Sequence, residues 1–157
     1  MTAKSEFNAE EWSVVAGAPL LAAMMVIAAD RGGSVRESVA VAKVYGEARE
    51  QYDGEFMSAL LATPPAAAAK RPDSPDDLPA QATATLREAV AILERVGTED
   101  EVVEYKRFIF GLAESVARAH KEGGFLGIGG NKTQVSESEQ AALDEIAAIF
   151  DEPPPAA

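Results

Sequence analysis

The chain has 157 residues, a formal net charge of −12, 47% apolar and 25% charged residues, and no cysteine. That is enough chain for one domain with a core, and the balance is globular rather than disordered. The charge and the scattered Lys and Arg speak against nucleic acid and against an anionic membrane surface. The missing thiols exclude disulfides, thiolate nucleophiles and Cys-ligated zinc or iron–sulfur clusters.

Alanine is abundant and aromatics are only 6% of the chain. Strands lack their usual β-branched and aromatic material, so the composition predicts an all-α fold. The first helix is expected over about residues 9–30. Its run "WSVVAGAPLLAAMMVIAA" carries no charge over 18 residues, the lower edge of a membrane-spanning length. Glu6, Glu10 and Glu11 precede it where a signal peptide would place positive charge, and much of it is Ala and Gly. It reads as a central buried helix, with Pro19 either kinking it or opening a second segment.

Ser34 with Glu37, Thr98 with Glu101 and Ser136 with Glu139 repeat one helix-start pattern, Ser/Thr-x-x-Glu. The hydroxyl can accept from the backbone N–H three residues on, while the glutamate reaches back to the cap's own N–H. Each is followed by an apolar stripe. Val35, Val39, Ala42 and Tyr45 follow the first; Val102, Tyr105, Ile109, Leu112 and Val116 the second; Ala142, Leu143, Ile146, Ala147 and Phe150 the third. Phe56, Leu60 and Leu61 mark a short helix after Asp53-Gly54, and Leu86, Val90 and Leu93 mark another that stops near Gly97.

These elements predict a single bundle of five or six helices, one domain over residues 1–157. The expected core is Trp12, Val15, Leu20, Met24, Ile27, Val39, Tyr45, Leu86, Val90, Leu93, Ile109, Leu112, Val116, Leu143, Ile146 and Phe150. Residues 63–79 hold five prolines and read as an exposed connection within the domain. Residues 151–157, "DEPPPAA", read as a frayed, disordered tail. The two halves share an order of long helix, acidic residue with paired glycines, and capped helix. Either a helix–loop–helix duplication or two generic hairpins gives that order.

The glycine-rich stretch "GGFLGIGG", residues 123–130, fails as a phosphate loop. Asn131 stands where the P-loop needs glycine before Lys132-Thr133, and the preceding element reads as helix rather than strand. The dinucleotide fingerprint fails too, since Lys132 occupies the third glycine's place. Phe125, Leu126 and Ile128 on this loop either plug one end of the bundle or form an apolar tip for a partner.

Oxygen ligands for Ca²⁺ or Mg²⁺ could come from Asp30, Glu37, Glu122, Glu137 and Glu139, beside the two glycine loops, although neither loop has the alternating acids of a calcium loop. The bland reading makes Glu37 and Glu139 capping residues and the others solvated. A di-iron centre is excluded, because the single histidine, His120, has Ala117 three residues before it where Glu is needed. In a last helical turn His120 simply complements the helix dipole. One histidine and no spacing motif give no catalytic triad, so an enzyme is not expected, nor is an organic cofactor.

The junction "AADRGGSVRES", residues 28–38, resembles the loop-and-helix signature of TerB-like proteins, an all-helical family associated with tellurite resistance and stress response. In that family an Asp-Gly loop leads through a hydrophobic residue to a helix bearing a glutamate. Asp30 and Glu37 keep a similar separation here, with Arg31 in place of the usual glycine and Val35 later than usual. "VSESE", residues 135–139, is similar to the second part of the pattern. The resemblance implies a helical fold, acidic cation-binding surfaces and a scaffold-like role.

The sequence therefore predicts a non-enzymatic cytoplasmic module that works by contact with a protein partner or a second copy of itself. A divalent-cation-binding stress protein is the alternative, and a small-molecule binder in an inter-helix space near Met24 and Met25 is the third reading.

Overall fold

The computed structural model describes residues 2–29, 35–68, 70, 72–122 and 136–151, with the side chains of 35–38, 66, 67 and 120–122 outside that description. The described chain is all-α, without a strand. Six helices of eight residues or more follow in order: α1 (Ala9–Ala29), α2 (Val35–Gln51), α3 (Glu55–Ala62), α5 (Leu78–Val96), α6 (Glu99–Glu122) and α7 (Glu137–Phe150). A single turn, α4 (Pro65–Ala68), lies between α3 and α5. The bundle of five or six helices read from composition and periodicity is thus the observed architecture.

Helix α1 is the axle. It packs most extensively against α5 and α6, and also against α4 and α7, while α2 lies mainly on α6. Val15, Ala16, Gly17, Ala18, Pro19, Leu21, Ala22, Ala23, Met25 and Val26 are all buried, so several faces of α1 meet neighbours. Small side chains explain how: with methyls or hydrogens at most of these positions, flanking helices approach the α1 backbone closely. By length and composition α1 could cross a membrane, and 61% of its most apolar window is buried inside this bundle. One continuous helix runs through Pro19, which does not open a second segment.

Five of the expected core residues are not fully buried. Val39 is 62% exposed, because α2 turns Val41, Tyr45 and Ala48 inward instead. Tyr45, its ring packed edge-on against Phe108, is the one described side chain that the expected stripe of Val35, Val39, Ala42 and Tyr45 shares with the inward face. On α1, Leu20, Met24 and Ile27 are only partly buried, whereas Leu21, Met25 and Val26 are buried. A helix apolar all round carries no period from which its inward face can be read. Phe150 is likewise partly buried, and the other expected core residues are buried.

The described residues of the Pro-rich connection lie at the surface as far as Pro79, apart from the buried Leu78, and are tied down on the way. Helix α4 packs on α1, and Ser13 Oγ donates to the Ala68 carbonyl at 3.1 Å. Gln81 Nε2 donates to the Lys70 carbonyl at 2.6 Å. Ser74 Oγ then accepts from Asp76 N and opens a 3-10 turn, Pro75–Asp77, that leads into α5 at the buried Leu78.

Candidate functional site

Among the described residues, the most unusual carboxylate begins α6. Thr98 and Glu101 form the expected box: Thr98 N donates to Glu101 Oε2 at 2.9 Å, and Glu101 N donates to Thr98 Oγ1 at 3.3 Å. The carboxylate is also bound from far along the chain. Thr2 donates its backbone N–H to Oε1 at 2.8 Å and its hydroxyl to Oε2 at 2.5 Å. Both residues are buried. Burial is the largest influence and pushes the Glu101 pKa up, but the hydrogen bonds from Thr2 and Thr98 together outweigh it. The net position is below the ordinary 4.5.

Gly97 makes room for this arrangement. Its N–H donates to the Leu93 carbonyl at 2.7 Å and ends α5. A Cβ at Gly97 would lie 2.8 Å from Leu93 Cδ1, 2.9 Å from Leu93 O and 3.2 Å from Glu101 Oε2. Only glycine lets the α5–α6 corner close on the carboxylate.

The segment attached to Thr2 forms a strap over the aromatic end of the core. A 3-10 turn, Lys4–Glu6, is closed by Ala3 N donating to Glu6 Oε2 at 2.7 Å. Phe7 is buried, with its ring centre 5.4 Å from that of Trp12 and 6.0 Å from that of Phe56. Lys4 Nζ stands 5.3 Å from the Trp12 ring centre, a cation–π distance. The strap ends at Asn8, whose Oδ1 accepts from Glu11 N at 2.8 Å while Glu11 Oε2 accepts from Asn8 N at 3.0 Å. This capping box starts α1; its cap is an asparagine, which caps as well as Ser or Thr but falls outside the Ser/Thr-x-x-Glu pattern. Glu11 also pairs with Arg95 of α5.

Beneath the strap the rings continue inward: Trp12 meets Phe56, Phe56 meets Tyr105, and on the α2 side Tyr45 and Tyr52 both meet Phe108 edge-on. Three polar groups sit among them. Tyr105 Oη donates to the Val15 carbonyl at 2.8 Å. Tyr45 Oη and Trp12 Nε1 are buried with no hydrogen-bond partner among the described residues. Burial holds both phenols above their ordinary pKa, with Arg49 partly offsetting the effect at Tyr45.

Of the expected cation ligands, Glu139 is buried and its carboxylate completes the α7 capping box, accepting from Ser136 N at 3.0 Å. Glu137 is exposed in the first turn of α7. Asp30, Phe125, Leu126 and Ile128 lie outside the described residues, as do the side chains of Glu37, His120 and Glu122. Among the described residues no three His, Cys, Asp or Glu gather to hold a metal. Met25 is buried in the core and Met24 packs against it. Two basic side chains act as long-range helix caps. Arg49 donates through Nε and Nη2 to Leu61 O at the end of α3, and Lys106 donates to Phe150 O at the end of α7.

No protein-family model, curated protein or solved structure matches this chain. The fold and the site define the class alone: an all-α bundle around an alanine-rich axle, with a carboxylate clasp at its aromatic end.

Proposed function

We propose that this chain is a non-enzymatic helical interaction module of the cytoplasm that docks a basic segment of another protein. The supporting observation is the use made of the interior. Glu101 and Glu139, the buried carboxylates among the described residues, both serve capping boxes. Recognition then falls to the exposed surface, which is acidic. Helix α7 carries no Lys or Arg and turns Glu137, Asp144 and Glu145 to solvent. A chain of net charge −12 repels its own copy and attracts a cationic partner, so a basic protein segment fits better than self-association.

The test is calorimetric titration with a Lys/Arg-rich amphipathic peptide at low and moderate salt, beside light scattering of the protein alone. Binding should weaken with salt and fall at least tenfold on reversing Glu137, Asp144 and Glu145 to lysine. The same reversal at Glu47 and Glu50 of α2 should have a smaller effect. Equal loss from both reversals, or no binding at low salt, refutes the docking surface. A concentration-dependent mass would replace the basic partner with a second copy. A melting midpoint raised by Ca²⁺ or Mg²⁺ would assign the acidic surface to a cation instead.

A further inference from the structure

We propose that residues 2–8 are a strap held shut by the Glu101 carboxylate, and that acid opens it while the helical body stays folded. The geometry is that of a clasp. One residue of the strap, Thr2, places two donors on Glu101, 2.8 Å and 2.5 Å away, and a third comes from Thr98 N at 2.9 Å. An ionised carboxylate accepts all three. A protonated one has no charge to offer and carries a hydrogen on one oxygen, so all three bonds weaken and the protonated oxygen can hold its donors only by rearranging.

The donors that grip Glu101 are neutral, so nothing on them titrates in acid. The charged residues on the strap and the adjoining helix ends have work of their own. Lys4 lies against Trp12, Glu6 accepts from Ala3 N, and Glu11 of α1 pairs with Arg95 of α5. Glu10 on α1 and Glu99 and Asp100 on α6 are exposed, and Glu104 is half-buried on α6. The Glu101 pKa is lowered in the folded chain, so the clasp's contribution is present above the ordinary carboxylate pKa. It is lost as pH falls through the lowered one.

The strap is a small unit that can leave alone. Its packing on the core rests on Phe7 and on the Lys4–Trp12 contact, and its own 3-10 turn is three residues long. Helix α1 keeps its start without the strap's earlier residues, because Asn8 and Glu11 cap it independently. Opening would bare Trp12 and Phe56, the two rings Phe7 covers.

Trp12 is the chain's one tryptophan, so its emission reads the strap directly, while far-ultraviolet circular dichroism reads the helices. On titration of the full chain from neutral pH downward, Trp12 emission should shift to the red with a midpoint below pH 4.5, ahead of any loss of helical signal. In Glu101→Gln, which retains shape but cannot accept all three bonds, the emission should already be red-shifted at neutral pH and flat across that range. Thr2→Val removes the hydroxyl donor and keeps the backbone N–H, and should move the midpoint upward. If emission and helical signal fall together in one transition, the strap is not a separate unit and the inference fails. It fails equally if neither variant alters the emission curve. Should Glu101→Gln not fold, the wild-type pair of curves and Thr2→Val still decide the matter.

Discussion

Tyr105 donates its phenolic hydrogen to the carbonyl oxygen of Val15 at 2.8 Å, and Val15 stands four residues before Pro19. Proline has no N–H, so the carbonyl four residues earlier loses its helical donor. In the buried middle of α1 that loss would leave an unsatisfied acceptor. A fully buried side chain from α6 supplies the missing hydrogen. The proline and the tyrosine are thereby coupled parts of one contact between α1 and α6, although 86 positions separate them.

This coupling is measurable. Tyr105→Phe should cost about 1–3 kcal/mol, because the Val15 oxygen is left buried without a donor. With Pro19→Ala already in place, residue 19 offers its own N–H, and the same change should cost about 1 kcal/mol less. Urea unfolding of the four variants gives the interaction energy. A value near zero would mean that the hydroxyl is not replacing the proline's missing donor.

Tyr45→Phe should behave in the opposite way. Its hydroxyl is buried with no partner among the described residues, so removing it deletes a desolvation cost rather than a bond. The change should be neutral or stabilising at neutral pH. The two phenols also fix an alkaline limit. Their folded pKa values lie above the ordinary 10.0, so above pH 10 the unfolded chain releases protons that the folded chain retains. Stability then falls as pH rises, by up to about 2.7 kcal/mol per unit for two protons. Tyr52 is also held above its ordinary pKa, chiefly by burial, so removing either of the two buried ring hydroxyls should flatten that slope without abolishing it in denaturant titrations between pH 10 and 11.5.

The capping boxes give a graded prediction. Ser136→Ala removes the acceptor for Glu139 N and should cost about 1 kcal/mol. Asn8→Ala should cost a similar amount at α1. Thr98→Ala should cost more, because Thr98 shares Glu101 with Thr2 and its loss disturbs a carboxylate already holding the strap. Thermal melts in which all three fall together would show that the strap adds nothing at Thr98.

What the sequence made legible were the terms that repeat locally. The boxes at Thr98 and Ser136 lie within one helical turn, and the stripe from Val102 to Val116 buries one face of α6, so pattern alone found them. The site was half visible. Glu101 could be read as a cap, but its partner Thr2 is 99 residues away, and a short-range pattern carries no trace of such a contact. Pro19 could be read only as a disturbance, since its remedy lies on another helix. The inward face of α1 was hidden for a different reason: where nearly every residue is apolar, only the arrangement of neighbours decides which ones are buried.

Three glycines give the sharpest contrast, because the same substitution should act with opposite sign. Gly46 in α2 and Gly111 in α6 are interior helical positions, and a Cβ on either would meet nothing within 4 Å. Alanine there restricts the unfolded chain and favours the helix, so each change should stabilise by about 0.5–1 kcal/mol. Gly97 is also compatible with alanine by backbone angle, with φ of −92°. Space forbids it. The new methyl would press on Leu93 Cδ1 and, at 2.9 Å, on the Leu93 carbonyl, which is fixed by its bond from Gly97 N. Leu93 is fully buried, so neither atom can retreat without disturbing the core. Gly97→Ala should therefore destabilise by about 1–3 kcal/mol. It should also loosen the strap, since the Glu101 carboxylate is the third atom group in its way at 3.2 Å. Denaturant midpoints for the three variants, read with Trp12 emission for the strap, decide it: a Gly97→Ala variant as stable as Gly46→Ala would mean that the α5–α6 corner is not packed as described.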